Sequence, residues 1–146
     1  MRILMLAQFY PPMMGGEERH VQSLSEDLAR RGHTVAVATL QQPGLPEVAR
    51  AAGVQVYRLP GTVQRANFLY SDAERRHASP FPDPETTLAL RNLVQRFRPD
   101  VVHAHNWLVY SYLPLKNWAG VPLVLTLHDF SLACPIKRLM YRDQPC

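Results

Sequence analysis

Apolar positions along the chain fall into two kinds of run, short and near-continuous or spaced at helical intervals, and their alternation predicts the fold. Arg2-Ile3-Leu4-Met5-Leu6-Ala7 is almost wholly apolar, the pattern of a central parallel strand covered on both faces. Phe9 to Gly16 holds two prolines and two glycines. It can continue neither a strand nor a helix, because proline lacks the N–H and glycine favours open backbone angles. From Glu17 onward Val21, Leu24 and Leu28 recur at i, i+3 and i+7, one helical stripe. Glu26 with Arg30, and Asp27 with Arg31, stand at pairing distance along that helix. Glu17 and Glu18 at its start, and Arg30 and Arg31 at its end, complement the helix dipole, and Gly32 is the expected left-handed stop. His33 to Thr39 returns as a second strand. A strand, helix, strand unit of this kind crosses over right-handedly and makes its strands parallel.

The pattern then repeats. Glu47 to Ala52 reads as a short helix ended by Gly53, and Val54 to Leu59 as a third strand. Pro60 to Pro84 holds five prolines or glycines, with Arg65, Arg75, Arg76, His77 and the aromatics Phe68, Tyr70 and Phe81. A stretch this long with little periodicity is functional or mobile; its basic residues either meet an anionic acceptor or lipid headgroups, or form a solvated loop. Glu85 to Phe97 reads as a helix with Leu88, Leu90, Leu93, Val94 and Phe97 apolar and Pro99 stopping it. Asp100 to His105 is a fourth strand, Asn106 to Trp118 a helical stretch broken by Pro114, and Val121 to Leu127 a fifth strand. Trp107 and Trp118 read as packing residues rather than sugar platforms.

These alternations predict an α/β fold, a Rossmann-like doubly wound parallel sheet of strand order 3-2-1-4-5. Ligands of such sheets sit beyond the carboxyl ends of the strands, at the switch point between strands one and four. Gly15 and Gly16 follow strand one, His105 and Asn106 follow strand four, and His128 and Asp129 follow strand five. Three separate stretches are thus expected to converge.

The fingerprints that are missing narrow the chemistry. No GxGxxG follows strand one and no acidic residue ends strand two, which argues against a nicotinamide cofactor; no GxxxxGK[ST] is present, which excludes a P-loop. What remains is a Gly-Gly pair before a helix, read either as a place where a phosphate approaches backbone N–H groups or as a glycine turn with good capping. His103-x-His105 with His128 and Asp129 has ligand types that suit zinc, but no short-range helical pair anchors them, and no metal site is expected.

Composition changes the picture little. The chain has 146 residues and is 47% hydrophobic, enough for a single domain burying roughly 68–70% of its unfolded surface. A net charge of +4 favours an anionic ligand or membrane face and does not imply nucleic acid. About six apolar residues after Arg2 are too few for a signal-peptide core, and no window approaches the roughly 20 residues of a membrane span, so a cytoplasmic location is expected. Two cysteines, Cys134 and Cys146, are too few for a disulfide framework; Cys134 reads as a small buried residue or as part of a cluster completed further on. The ending, with no closing helix, suggests a cut from a longer protein.

The sequence from Arg2-Ile3-Leu4 through Phe9-Tyr10-Pro11-Pro12-Met13-Met14-Gly15-Gly16-Glu17-Glu18-Arg19-His20-Val21 to Gly32-His33-Thr34-Val35 closely resembles the start of the retaining, GT-B-fold glycosyltransferases of family four. Arg98 to His105 and Gly120-Val121-Pro122 through His128-Asp129 continue the resemblance in the right order, so that it covers about half the chain. It implies the amino-terminal half of a GT-B fold, an acceptor-side domain spanning residues 1–146, whose partner is its own carboxyl-terminal nucleotide-sugar-binding domain. The substrates implied are a nucleotide-sugar donor and an acceptor that is a glycan, a lipid or a small molecule, with peripheral association at the inner membrane face as a further expectation. By the resemblance Gly16 contacts the donor diphosphate and Gly15 allows the turn. Glu17 touches sugar or acceptor, His128 sits over the transferred sugar as the catalytic residue, and His105 lies near the acceptor end, with Asn106 and Asp129 beside these two histidines. No cofactor or metal is implied. The family's donor-binding basic residues and E-x7-E glutamates match nothing here, so this chain alone is expected to be inactive. A metal-dependent hydrolase and a non-catalytic Rossmann-like binding domain remain as alternatives.

Overall fold

The computed structural model describes residues 1–65, 77–130, 140–141 and 144–145. Phe68, Tyr70, Arg75, Arg76, Cys134 and Cys146 lie outside them. Strand β1 (Arg2–Ala7) buries every residue after Arg2, and β2 (Thr34–Leu40) every residue after Thr34. The reason is alternation: Leu4 and Leu6 enter one core, Ile3, Met5 and Ala7 the other, so a continuous apolar run serves both faces of one strand. Each fully buried side chain of this kind contributes about 1.5–3 kcal/mol.

Helix α1 (Gly16–Arg30) covers the second core with Val21, Leu24 and Leu28, as its stripe predicts. It stops as expected: Gly32 has φ 88°, its N–H donates to Ala29 O and that of His33 to Leu28 O, the paired bonds of a Schellman motif. The predicted ion pairs differ in register. Arg30 pairs with Asp27, one turn back, and Gln22 donates to Glu26 at 2.8 Å.

The expected helix at Glu47 to Ala52 is instead strand β3 (Val48–Ala51), antiparallel to β4 (Val54–Leu59). Ala51 and Val54 are register partners, and both residues between them have positive φ, 49° for Ala52 and 82° for Gly53. Such angles close a two-residue hairpin of type I′. Local helix preference in Val-Ala-Arg-Ala loses to pairing along the β4 edge.

A short helix, α2 (Thr62–Arg65), falls in the stretch expected to be irregular, and α3 (Pro84–Phe97) follows, capped by Asp83 with Pro84 in its first turn. Leu90, Leu93, Val94 and Phe97 are buried against the first core, whereas Leu88, apolar like them, is 57% exposed because it stands off the i, i+3, i+4, i+7 row. Arg98, at φ 48°, ends the helix before Pro99. The turn is tied to β1: Arg2 N–H donates to Asp100 Oδ2 at 2.7 Å and Arg2 Nε to Phe97 O at 2.5 Å.

Strand β5 (Val101–His105) leads into single turns, a 3₁₀ turn at Asn106–Leu108, α4 (Val109–Tyr112), a second 3₁₀ turn at Leu113–Leu115 around Pro114, and α5 (Lys116–Ala119). Strand β6 (Leu123–Thr126) begins after Pro122. The sheet order is β3-β4-β2-β1-β5-β6, all parallel except β3. Its five parallel strands reproduce the predicted 3-2-1-4-5, with the hairpin strand added at one edge. A two-residue pair, β7 (Met140–Tyr141) with β8 (Gln144–Pro145), stands apart. No helix among the described residues is long and apolar enough to cross a membrane.

Candidate functional site

Ala7 on β1 is level with His105 on β5, and His105 with Thr126 on β6. Three neighbouring strands therefore end at one height and release Gln8, Asn106 and Leu127 together. Above them α1 begins, its preceding residue Gly15 extended (φ −155°, ψ −168°) and offering no side-chain cap to the first turn. A cavity of about 310 Å³ lies between, lined among others by Gln8, Gly16, Glu17, Asn106, His128 and Asp129.

Asn106 joins the two sides of this mouth. Its backbone is left-handed (φ 52°), a conformation asparagine tolerates better than most residues. Held so, its Nδ2 donates to Glu17 Oε2 at 2.5 Å and its Oδ1 accepts from the backbone N–H of His128 at 3.4 Å. One side chain thus links the first turn of α1 to the end of β6.

Beneath the mouth the imidazoles gather. His105 is completely buried, and its Nδ1 lies 2.8 Å from His128 Nε2, the two rings stacked at 5.1 Å. The ring of His103 is 4.3 Å from that of His105, and its Nε2 is bonded to Thr126 Oγ1 at 2.8 Å. His20 stands edge-on to both His105 and His128, at 5.9 and 5.1 Å. Burial, reinforced by the neighbouring imidazoles, pushes the pKa of His105 down to about 3. Burial also lowers those of His103 and His128, though Asp129 and Glu18 pull His128 partly back. These three rings are neutral at pH 7.

Between neutral His105 and His128 one N–H must donate. Nε2 of His105 is buried with no partner among the described residues, so a proton there would be an orphaned donor, costing about 1–3 kcal/mol. The proton belongs on His105 Nδ1, donating to His128 Nε2. That leaves His128 protonated on Nδ1, a neutral donor on a ring that lines the cavity.

Gly16, Glu17, Asn106, His128 and Asp129 therefore line one mouth, as the sequence led us to expect. His105 joins them from behind, under His128 rather than on the wall. Gly15 does not need to be glycine for its backbone, since its φ is one any residue adopts. Gly16 is the informative glycine: a Cβ added there meets nothing within 4 Å among the described residues, so neither their packing nor its backbone angle demands it. His103 is satisfied by Thr126, the plain structural reading. Trp107 packs partly against the first core and also lines the cavity, whereas Trp118, expected in the packing, is 47% exposed with the Arg91 guanidinium 5.3 Å over its ring.

Sequence reasoning missed Gln8 and Phe9, which directly follow β1, and His20. For His77 it left open an anionic acceptor or lipid headgroups on one side and a solvated loop on the other; His77 lines the cavity and meets the Phe9 ring at 5.1 Å. The signal for His20 was its spacing: four residues after Gly16, it lies on the same face of α1.

Comparison with known proteins agrees with the fold. Residues 15–144 match the glycosyl transferase 4-like domain family. The chain is 35% identical over 140 residues to a glycogen synthase of Mycobacterium tuberculosis, covering 88% of this chain and 33% of that protein. It is 30% identical over 134 residues to a component of the human phosphatidylinositol N-acetylglucosaminyltransferase, covering 87% of this chain and 25% of that protein. It thus spans about a third or less of these curated relatives. A sucrose-phosphate synthase from Thermosynechococcus elongatus superposes with a TM-score of 0.63 over 99% of this chain and 37% of its own, at 16% identity, which speaks to the fold alone. With a doubly wound sheet, a glycine-led helix at its switch point and a family match over nearly its whole length, this chain belongs to the glycosyl transferase 4-like family.

Proposed function

We propose that the chain is the acceptor-side domain of a retaining glycosyltransferase that moves a sugar from a nucleotide-sugar donor to an acceptor hydroxyl, without a metal. A carboxyl-terminal domain holds the donor, and this domain alone is inactive. The observation that carries the reading is the cavity where Gly16, Glu17, Asn106 and His128 meet at the start of α1.

The chemistry fits those groups. The bond from the sugar's anomeric carbon to the diphosphate breaks as the acceptor oxygen bonds to that carbon on the same face, and the acceptor's proton passes to the departing phosphate oxygen. Charge builds on the leaving group and the ring together, so preorganised donors at both places lower the barrier. Gly16, with no Cβ, lets the diphosphate approach the first-turn N–H groups and the positive end of the helix dipole. His128 donates to a sugar hydroxyl from Nδ1, held in that tautomer by His105, which acts as a positioning residue. Glu17 and Asn106 hold each other and orient sugar or acceptor, and Asp129 stands beside them. Relatives named as a glycogen synthase and as part of a phosphatidylinositol N-acetylglucosaminyltransferase make glycan and lipid the two acceptor classes to try. A lipid acceptor would bring the protein to a membrane surface.

A transferase is preferred to a metal-dependent hydrolase because the family match spans residues 15–144. His128→Ala in the full-length enzyme should lower transfer about 10²–10³-fold, the usual cost of one transition-state donor, with the circular dichroism spectrum unchanged. Turnover like that of the unaltered enzyme at saturating acceptor would remove His128 from the mechanism.

A further inference from the structure

We infer that His20, His105 and His128 form a binding site for a zinc ion. One ring nitrogen from each of these residues lies within 4.8 Å of the other two. They come from three different elements, α1, the end of β5 and the segment after β6, so the grouping is made by the fold and not by a local sequence motif. Imidazole nitrogen is a ligand that suits zinc.

A second observation points to a ligand. His105 is completely buried, yet its Nε2 has no partner among the described residues, an uncommon state for a buried ring nitrogen. A metal ion satisfies lone pairs that no protein donor reaches. Zinc–nitrogen bonds of about 2.0–2.1 Å need the three nitrogens closer together than they stand. His105 ligates through Nε2 and His128 through Nε2, so binding replaces the hydrogen bond from His105 Nδ1 to His128 Nε2, while His20, exposed at the surface of α1, turns to complete the set. The carboxylates of Glu17, Glu18 and Asp129 line the adjoining cavity with His128 and offset the charge of a dication. His103 is not a ligand, since its Nε2 is bonded to Thr126 Oγ1. Three imidazoles leave a fourth coordination position for water.

This site shares His105 and His128 with the transfer reaction proposed above and is opposed to it. His128 cannot bind a metal ion and hold a sugar hydroxyl in the same orientation, so occupancy by zinc and by the sugar exclude each other.

The test is calorimetric titration of the untagged, chelator-treated full-length protein with zinc chloride, in the absence of any sugar nucleotide. One ion per chain should bind, His20→Ala should weaken it at least tenfold, and His33→Ala, at the opposite end of the sheet, should leave it unchanged. Cobalt(II) in place of zinc should give visible absorption bands of a low-coordinate site, lost in His20→Ala. Because His20 is exposed, that variant keeps its fold, which a thermal melt checks. Absence of saturable binding, or equal binding by His20→Ala, would overturn the inference whatever the outcome for His128 in transfer.

Discussion

Asp83 and His105 are both buried polar side chains, 4% and 0% exposed, yet their hydrogen bonding differs. Asp83 Oδ1 accepts from the backbone N–H groups of Thr62 and Thr86 at 3.1 and 3.0 Å, Oδ2 accepts from that of Val63 at 2.8 Å, and its own N–H donates to Ser111 Oγ at 3.1 Å. It caps α3, anchors α2 and reaches α4, and both its oxygens are engaged. His105 has one nitrogen engaged and one without a partner among the described residues, and it sits behind an open cavity. A buried polar group with its bonds complete holds the fold together. One left incomplete beside a cavity marks a place where something else binds.

The sharpest way to break that contrast is Asp83→Ala. It removes three charge-assisted bonds and a helix cap, so unfolding stability should fall by about 3 kcal/mol. Urea denaturation would measure it; a change under about 1 kcal/mol would mean that the node is not structural. The two centres also separate by pH. His105, with its pKa lowered in the fold, binds its proton more readily when unfolded. Its contribution is fully present above the unfolded value near 6.5 and is lost as pH falls from there toward about 3. At pH 5 the loss should be about 2 kcal/mol, and His105→Gln should remove most of that slope in stability measured across pH. For Asp83 burial works to raise the pKa, but the bonds from Thr86, Val63 and Thr62 outweigh it and lower the value from 3.8. Its contribution is therefore present above about 4 and lost only in stronger acid. Ser111→Ala, which leaves the Asp83 N–H without its acceptor, should cost about 1 kcal/mol. Smallest of all, Glu17→Gln keeps the shape and loses the charge beside Asn106, and should change the melting temperature by under about 2 °C. A larger drop would move Glu17 from the site to the scaffold.

Much of this was legible in the sequence, and the exceptions have physical causes. A run such as Ile3 to Ala7 reads as a doubly covered strand because period-two geometry feeds both cores, and Gly32 reads as a helix stop because φ 88° suits glycine. Strand β3 was misread because three helix-forming residues, Ala49, Arg50 and Ala51, are held extended by a partner strand, and its turn uses Ala52-Gly53 rather than the usual asparagine or aspartate before glycine. Leu88 is as apolar as its buried neighbours, yet its position on the helix and not its side chain decides its exposure. At the site, the rule that ligands gather at strand ends located Gly16, Asn106 and His128, since each directly follows or lies close beyond a strand. It did not locate His20 or Glu18, because each sits on a helix whose sequence there looks like an ordinary charged face. Nor could spacing show that His105 lies behind His128 rather than beside it: strand alternation gives a face, not a depth.

The account rests most on Gly16, whose lack of a side chain serves no packing need among the described residues. Gly16→Val in the full-length enzyme separates fold from function in a single variant, measured as melting temperature and as transfer rate with the donor varied. We predict a melting temperature within about 2 °C of the unaltered protein and a loss of at least about 100-fold in kcat/KM for the donor. Full activity with valine at that position would contradict the placement of the diphosphate at the start of α1.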